Sequence, residues 1–161
     1  MNKAIFLDRD GVINRELGDY VTRPEEFKIN PGVGEALRKW VEGGYLLIVI
    51  TNQGGIAKGL YTEETLKAMH EKMHQILALD DVVLTAVYHC PHHPATGNCL
   101  CRKPDSLLLE KAIARFHIDP ASSFFIGDKD RDIQAGHKVG LRGIRIEANA
   151  PLDSIDLSKA S

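Results

Sequence analysis

The sequence predicts an α/β fold, a Rossmann-like three-layer α/β/α sandwich around a mostly parallel sheet of five strands. The first observation is a set of five short apolar runs with the length of buried strands, at residues 4–7, 45–50, 82–88, 123–126 and 143–146. The second is that helical patterns alternate with these runs, which is the order of βαβ units. The third is that three of the runs end in polar residues, as strands do where such sheets bind ligands.

Four helices are predicted from the spacing of apolar residues. The first covers residues 33–41 and ends before a pair of glycines. The second follows Thr62, a suitable N-cap residue, and has two glutamates in its first turn. The third and fourth cover residues 107–116 and about 130–139, and Gly140 follows the last one. A chain of this length fits one domain, and no linker or repeat interrupts it, so we expect one domain over residues 1–161.

The composition excludes several classes of protein. A chain of 161 residues with a net charge of −2 and no basic run does not predict a nucleic-acid surface. Its N-terminus leads directly into the first strand without the pattern of a signal peptide, and no apolar stretch reaches the roughly 20 residues of a membrane span. Three clustered cysteines favour metal binding in a reducing compartment over disulfides. We therefore expect a cytoplasmic monomer with neither nucleic acid nor membrane as a partner.

The ends of the predicted strands carry reactive groups. Asp8 and Asp10 follow the first strand, Thr51 ends the second, and Asp128 follows the fourth. Because the carboxyl ends of parallel strands meet at one edge, these groups should lie together. Carboxylates that lie close together repel each other, so the cluster predicts a hard cation such as Mg²⁺. A carboxylate can also attack phosphorus as a nucleophile. The sequence therefore predicts a phosphoryl-transfer site at this edge.

Four segments, FLDRDGVIN, VITNQ, RKP and GDKDRD, resemble the four motifs of the haloacid dehalogenase (HAD) superfamily of phosphatases. The resemblance implies that Asp8 is the nucleophile and Asp10 the general acid/base. It also implies that Thr51 and Lys103 hold the phosphoryl group. The implied Mg²⁺ ligands are the Asp8 side chain, the Asp10 backbone carbonyl and Asp128, and Asp132 would stabilise this site from behind.

The stretch at about residues 89–104 contains all three cysteines. Cys90, His92, Cys99 and Cys101 provide four ligands, the number that a closed structural zinc site requires. The CPHHP segment followed by CLCRKP is similar to the zinc loop of bacterial heptose bisphosphate and histidinol-phosphate phosphatases, which implies His92 rather than His93 as the ligand. A zinc ion there would order the loop that leads to Arg102 and Lys103.

The segments GDYVTRPEEFKINPG, TNQGGIAKG, CPHHP and GDK most resemble the heptose bisphosphate phosphatases. The resemblance implies hydrolysis of the 7-phosphate of D-glycero-D-manno-heptose 1,7-bisphosphate through an aspartyl-phosphate, on the route to nucleotide-activated heptose for lipopolysaccharide or other surface glycans. No gap between motifs has room for a separate cap domain, so short loops must select the sugar. The implied substrate contacts are Arg9, Gly18, Tyr20, Asn52, Gln53, Gly54, Arg102 and Lys129.

Two other functions stay open at this point. A histidinol-phosphate phosphatase of histidine biosynthesis would have a similar zinc loop and the same catalytic groups. A binding module that uses the zinc loop as a staple would need no catalysis at all.

Residues 70–74 read HEKMH and formally match the H-E-x-x-H pattern of zinc proteases. On a helix, His70 would flank the apolar stripe and His74 would lie further towards solvent, with Met73 on the core face between them. We expect both histidines on the helix surface, with no metal.

Overall fold

A computed structural model describes residues 1–161. Its centre is a sheet of five strands in the order β3-β2-β1-β4-β5, and every neighbouring pair is parallel. The strands are β1 (Lys3–Leu7), β2 (Tyr45–Asn52), β3 (Ala86–Cys90), β4 (Phe124–Gly127) and β5 (Arg142–Arg145). The helices are α1 (Val33–Glu42), α2 (Glu63–Ala78), α3 (Leu107–Phe116) and α4 (Asp130–Lys138). The predicted α/β fold is confirmed.

The two faces of the sheet are covered by different pairs of helices. Successive side chains of a strand point to opposite faces, so Ile5 and Leu7 of β1 lie on one side and Ala4 and Phe6 on the other. The first side packs in one core with residues of α1 and α2, and the second packs in another core with residues of α3 and α4. Burial on both faces explains why the strands are continuous apolar runs rather than alternating ones.

The third strand differs from its prediction. It was expected at residues 82–88, but β3 begins at Ala86 and ends at Cys90. Val82 and Leu84 are buried and Val83 is exposed, which imitates the alternation of a strand. The backbone nevertheless continues the end of α2 at this point, since the Val82 amide donates to the Leu77 carbonyl. The other strands and helices begin and end within two residues of their predicted bounds.

The order of the strands determines which loops meet. The chain runs from β1 outwards through β2 to β3, and then crosses back to place β4 and β5 on the other side of β1. The carboxyl end of β1 therefore lies between those of β2 and β4, at the switch point where such sheets bind ligands. No helix in the structure combines the length and the apolar character needed to cross a membrane.

The two neighbours Met73 and His74 in α2 should respond very differently to truncation. Met73 is fully buried in the core and His74 is exposed. We expect Met73→Ala to lower the free energy of unfolding by about 2–5 kcal/mol, because it leaves a cavity. We expect His74→Ala to change it by no more than about 0.5 kcal/mol. Urea denaturation of both variants checks this, and equal losses would contradict the assigned faces of α2.

Candidate active site

The predicted catalytic residues converge at the carboxyl ends of three adjacent strands. Asp8 follows β1, Thr51 lies near the end of β2 and Asp128 follows β4. Lys103 comes from the loop between β3 and α3 and is only 2% exposed. All four side chains are buried, so the groups form the floor of the site rather than its surface.

Lys103 holds the centre of this floor. Its Nζ donates to Asp8 Oδ1 at 2.9 Å and to the Ile50 carbonyl at 2.7 Å, and it lies 2.7 Å from Asp132 Oδ1. Burial alone would lower the pKa of Lys103, but Asp132 and Asp8 outweigh burial and raise it. The ammonium group therefore stays charged and compensates two buried carboxylates.

Asp128 has the features of a cation ligand. Its carboxylate oxygens are buried and accept no hydrogen bond, and the Lys129 ammonium is 3.8 Å from Oδ2. One carboxylate oxygen from each of Asp8, Asp128 and Asp132 lies within 4.8 Å of the others. Burial, and then the charge of Asp132, raise the pKa of Asp128. A hard cation would satisfy these oxygens, so the cluster fits the magnesium ion implied by the sequence motifs.

Gly11 makes room for this carboxylate. Its φ is +87°, a left-handed conformation that glycine adopts without strain. A Cβ at this position would collide with the carboxylate of Asp128. The glycine of the DRDG segment is therefore required both by the turn and by the cluster behind it.

The carboxylate of Asp10 is held on both oxygens. Oδ1 accepts hydrogen bonds from Arg9 Nη2 at 2.8 Å and from Asn14 Nδ2 at 2.9 Å, and Oδ2 accepts one from Gln53 Nε2 at 3.0 Å. Burial opposes ionisation of Asp10, but the Arg9 charge and these three donors outweigh it and lower the pKa. Without a ligand, Asp10 is an ionised side chain at the edge of the cavity.

Arg9 differs from the other predicted substrate contacts in the direction of its side chain. Its side chain is 0% exposed, and its guanidinium group bonds Asp10 and lies 5.2 Å from the centre of the Phe27 ring. The side chain thus points into the core, away from the cavity. The substrate contact of Arg9 stays a prediction, and the motif did not reveal that its side chain is buried behind Asp10.

A cavity of about 360 Å³ opens above the floor. Seven of the eight predicted substrate contacts line it, namely Gly18, Tyr20, Asn52, Gln53, Gly54, Arg102 and Lys129. Sequence reasoning missed four further lining residues, Glu16, Asp19, Val21 and Arg131. Arg131 lies within the GDKDRD segment and the other three in the loop after the first motif, so their proximity to known motifs was the available signal.

Tyr61 is a supporting residue for which the sequence held no signal. Its hydroxyl donates a short hydrogen bond to Gln53 Oε1, while Gln53 Nε2 donates to Thr51 Oγ1 at 2.9 Å as well as to Asp10. Burial raises the pKa of Tyr61, so the phenol stays protonated and can donate. Tyr61 therefore fixes the amide that connects β2 to Asp10.

The four predicted zinc ligands also lie together. His92 Nδ1 is 3.2 Å from Cys101 Sγ and 3.4 Å from Cys90 Sγ, which in turn is 3.7 Å from Cys99 Sγ. Ligands bound tetrahedrally to zinc are about 3.5–3.8 Å apart, given bond lengths of about 2.0–2.3 Å. The Cys90 and Cys101 sulfurs are 2.8 Å apart, well beyond the roughly 2.05 Å of a disulfide. The number and chemistry of the donors fit zinc, and the Cys90 and Cys101 sulfurs would move apart by about 1 Å to bind it.

The cysteine cluster is connected to the cavity through Arg102. The Arg102 Nη1 donates to the backbone carbonyl of His92 at 3.2 Å, and its guanidinium group lines the cavity. His93 lies apart from the cluster, because its Nδ1 accepts a hydrogen bond from the Ala95 amide at 3.1 Å. The loop that bears the cluster therefore positions the cation that faces the cavity.

The unsatisfied carboxylate of Asp128 leads to a prediction about metal binding. In Asp128→Asn, the amide would donate to the neighbouring carboxylates, and one buried charge would be gone. We expect a melting temperature about 2–4 °C higher in the magnesium-free variant, corresponding to about 1 kcal/mol. We also expect magnesium chloride to raise the melting temperature of the unaltered protein but not that of the variant.

The matched control is Asp130→Asn, since Asp130 is exposed and pairs with Arg145 at the surface. This control should keep the magnesium-dependent rise. Thermal unfolding with and without added magnesium chloride, in dialysed protein that keeps its other metals, tests both variants, and an undiminished magnesium effect in Asp128→Asn would show that the cation binds elsewhere.

Comparison with known proteins agrees with this arrangement. A family model described as HAD-hyrolase-like matches residues 100–150. A Haemophilus influenzae protein named D-glycero-beta-D-manno-heptose-1,7-bisphosphate 7-phosphatase is 45% identical over 141 residues, which cover 84% of this chain and 76% of that protein. The Escherichia coli K12 protein of the same name is 44% identical over 138 residues, covering 82% and 72% of the two chains.

A solved structure is similar over the same region. It is the D,D-heptose 1,7-bisphosphate phosphatase of Bordetella bronchiseptica in complex with magnesium and phosphate, with a TM-score of 0.83 and 38% identity over 88% of this chain and 78% of that chain. The chain therefore belongs to the heptose bisphosphate phosphatase family of HAD-like phosphatases.

Proposed function

We propose that this protein is a Mg²⁺-dependent phosphatase that removes the 7-phosphate of D-glycero-β-D-manno-heptose 1,7-bisphosphate. The observation that carries the proposal is the buried floor of Asp8, Lys103 and Asp128 beneath a cavity bordered by Arg102. Relatives whose names specify this reaction support it at 44–45% identity. The pathway is the synthesis of nucleotide-activated heptose for lipopolysaccharide or other surface glycans.

In the first step, Asp8 attacks the phosphorus atom of the 7-phosphate. Asp8 Oδ1 is held by Lys103 and by the Arg9 amide, which leaves Oδ2 to attack. The new O–P bond forms as the bond between phosphorus and the sugar O7 breaks, and Asp10 donates its proton to O7. Lys103 and the Thr51 hydroxyl hold the phosphoryl oxygens.

In the second step, water attacks the phosphorus atom of the aspartyl-phosphate. Asp10, now ionised, accepts the proton of this water, and the acyl phosphate bond breaks to restore the Asp8 carboxylate and release phosphate. When bound by Asp128, the Asp8 side chain and the Asp10 carbonyl, Mg²⁺ supplies positive charge that offsets the negative charge of the phosphoryl group.

Asp10 must be protonated at the start, although its pKa is lowered in the ligand-free protein. A phosphate dianion that enters the cavity places negative charge beside Asp10, and this raises the pKa of Asp10. Substrate binding thus prepares the acid that the first step needs. The donors that surround Asp10 then stabilise the carboxylate that the step produces.

The second phosphate of the substrate distinguishes this function from other phosphatase activities. Arg102 and Lys58 form no ion pair with any carboxylate, and Lys58 lies 5.3 Å from the centre of the Tyr20 ring at the mouth of the cavity. Guanidinium groups bind phosphate oxygens through paired N–H donors. We assign the C1 phosphate to Arg102, with Lys58 adding charge.

The other functions that the sequence left open receive no support. The named relatives are heptose bisphosphate phosphatases rather than histidinol-phosphate phosphatases, and they are enzymes rather than binding modules. The proposal includes a monomer, because all groups of the site come from one chain. It also includes a cytoplasmic location, because reduced cysteines persist in reducing compartments.

The substrate is tested by measuring phosphate release with Mg²⁺ on both anomers of heptose 1,7-bisphosphate, on heptose 7-phosphate and on histidinol phosphate. We expect kcat/KM for the β-bisphosphate to exceed that for histidinol phosphate by about 100-fold or more. Arg102→Met should lower kcat/KM about 10-fold or more for the bisphosphate and much less for the 7-phosphate, since only the former has a C1 phosphate.

Asp8→Asn serves as the control for the chemistry and should abolish release from every substrate. Retained activity in that variant would refute the assignment of Asp8 as the nucleophile. A preference for histidinol phosphate would refute heptose bisphosphate as the substrate, but it would not contradict the assignment of Asp8 as the nucleophile.

We also propose that Cys90, His92, Cys99 and Cys101 hold a structural zinc ion that orders the loop before Arg102 and Lys103. A closed site with four protein ligands leaves no position for substrate, so the zinc takes no part in the reaction. Its contribution is to hold the His92 carbonyl, and with it the guanidinium group of Arg102, at the cavity.

Metal analysis of protein purified without chelator should find about one zinc per chain. Cys99→Ser should lose most of it, lower the melting temperature and lower kcat/KM, because the loop loses its anchor. His93→Gln is the matched control and should retain the zinc, since His93 is not a ligand. Full retention of zinc and stability in Cys99→Ser would refute the proposal that a structural zinc ion orders this loop.

A further inference from the structure

The buried guanidinium group of Arg9 has few partners for its five N–H donors. Nη2 donates to Asp10 Oδ1 at 2.8 Å, Nη1 lies 3.3 Å from His70 Nε2, and Nε has no partner at all. The Phe27 ring covers one face of the group, and no part of the side chain reaches solvent. His70 is therefore one of only two side chains that accept a hydrogen bond from this charge.

His70 can take this role in only one form. Arg9 is always a donor, so Nε2 of His70 must be unprotonated and accept, with the ring proton on Nδ1. Burial, followed by the charges of Arg9, His89 and His74, lowers the pKa of His70 to about 3. The ring is thus neutral throughout the pH range of ordinary assays, and the contact with Arg9 does not depend on pH.

The position of His70 in the structure differs from the one predicted from the sequence. It was expected on the helix surface, but its ring turns inwards from α2 towards Arg9, and the edge of the His89 ring packs against it with the ring centres 6.4 Å apart. His89 Nε2 in turn lies 2.8 Å from Glu63 Oε2. His74, one turn further along α2, stays exposed. The two histidines of the HEKMH segment therefore have different environments.

We propose that His70 is a positioning residue for Asp10, which it orients through Arg9. The histidine holds Nη1, so that Nη2 presents its N–H to Asp10 Oδ1 and leaves Oδ2, held by Gln53 alone, to exchange the proton with the substrate. The inference rests on the role of general acid/base proposed above for Asp10. It adds a residue about two contacts away from the reacting atoms.

The experiment uses substrates whose leaving groups differ in their need for a proton. A sugar alkoxide needs the proton from Asp10, whereas the p-nitrophenolate released from p-nitrophenyl phosphate is stable without one. We expect His70→Leu to lower kcat for heptose bisphosphate about 10-fold more than for p-nitrophenyl phosphate, within the contribution of about 10²–10⁴-fold that general acids make. KM for both substrates should stay close to its original value.

Two variants at the same position separate hydrogen bonding from packing. His70→Gln places an amide oxygen near the position of Nε2 and should recover most of the lost kcat. His70→Asn reaches only as far as Nδ1 and should not recover it, and it replaces His70→Leu if that variant does not fold. His74→Leu, on the same helix, should behave like the unaltered protein.

The outcomes distinguish this inference from the function on which it rests. Equal losses of kcat on both substrates, or no loss in His70→Leu, would overturn the role of His70. Asp10→Asn should itself lose far more activity on the sugar phosphate than on p-nitrophenyl phosphate. If Asp10→Asn shows no such difference, the proposed role of Asp10 fails, whatever the His70 variants show.

Discussion

The whole site depends on one buried ammonium group. Lys103 Nζ lies within 2.9 Å of both Asp8 and Asp132, in a region where water does not screen charge. Without this cation, the carboxylates gathered behind the strand ends would repel each other and become protonated. Burial, and then the charge of Asp132, raise the pKa of Asp8, and Lys103 opposes this rise and so favours the Asp8 anion. The oxygens of Asp128 are buried and accept no hydrogen bond, which leaves them for a metal ion.

The position of Lys103 explains why the cysteine cluster lies where it does. The loop from β3 to α3 must bring Lys103 into the buried floor and the adjacent Arg102 to the wall of the cavity. A long loop without regular structure would hold neither side chain accurately. The proposed zinc ion would join the end of β3 to the segment directly before Arg102, which would shorten the free loop and give it a defined shape.

Asp10 is held by a different set of groups from Asp8. Asp8 is held by one cation and by backbone, whereas Asp10 is held by three side-chain donors, and two of these are held by further residues: Tyr61 holds Gln53 and His70 holds Arg9. A group that exchanges a proton in both steps must keep its place in both charge states. Layers of hydrogen bonds around it restrict its movement without removing its access to the cavity.

The sequence by itself determined the fold class, the positions of all four helices and the residues at the strand ends, because apolar period and turn residues are local signals. It also predicted that the four side chains of the cysteine cluster lie together, since they fall within twelve residues of one another. Only the tertiary structure decided the directions of side chains. It turned Arg9 away from the cavity, brought His70 from α2 against it and placed Tyr61 behind Gln53. These contacts join residues up to 61 positions apart, and no local pattern encodes which buried charge a distant side chain will meet.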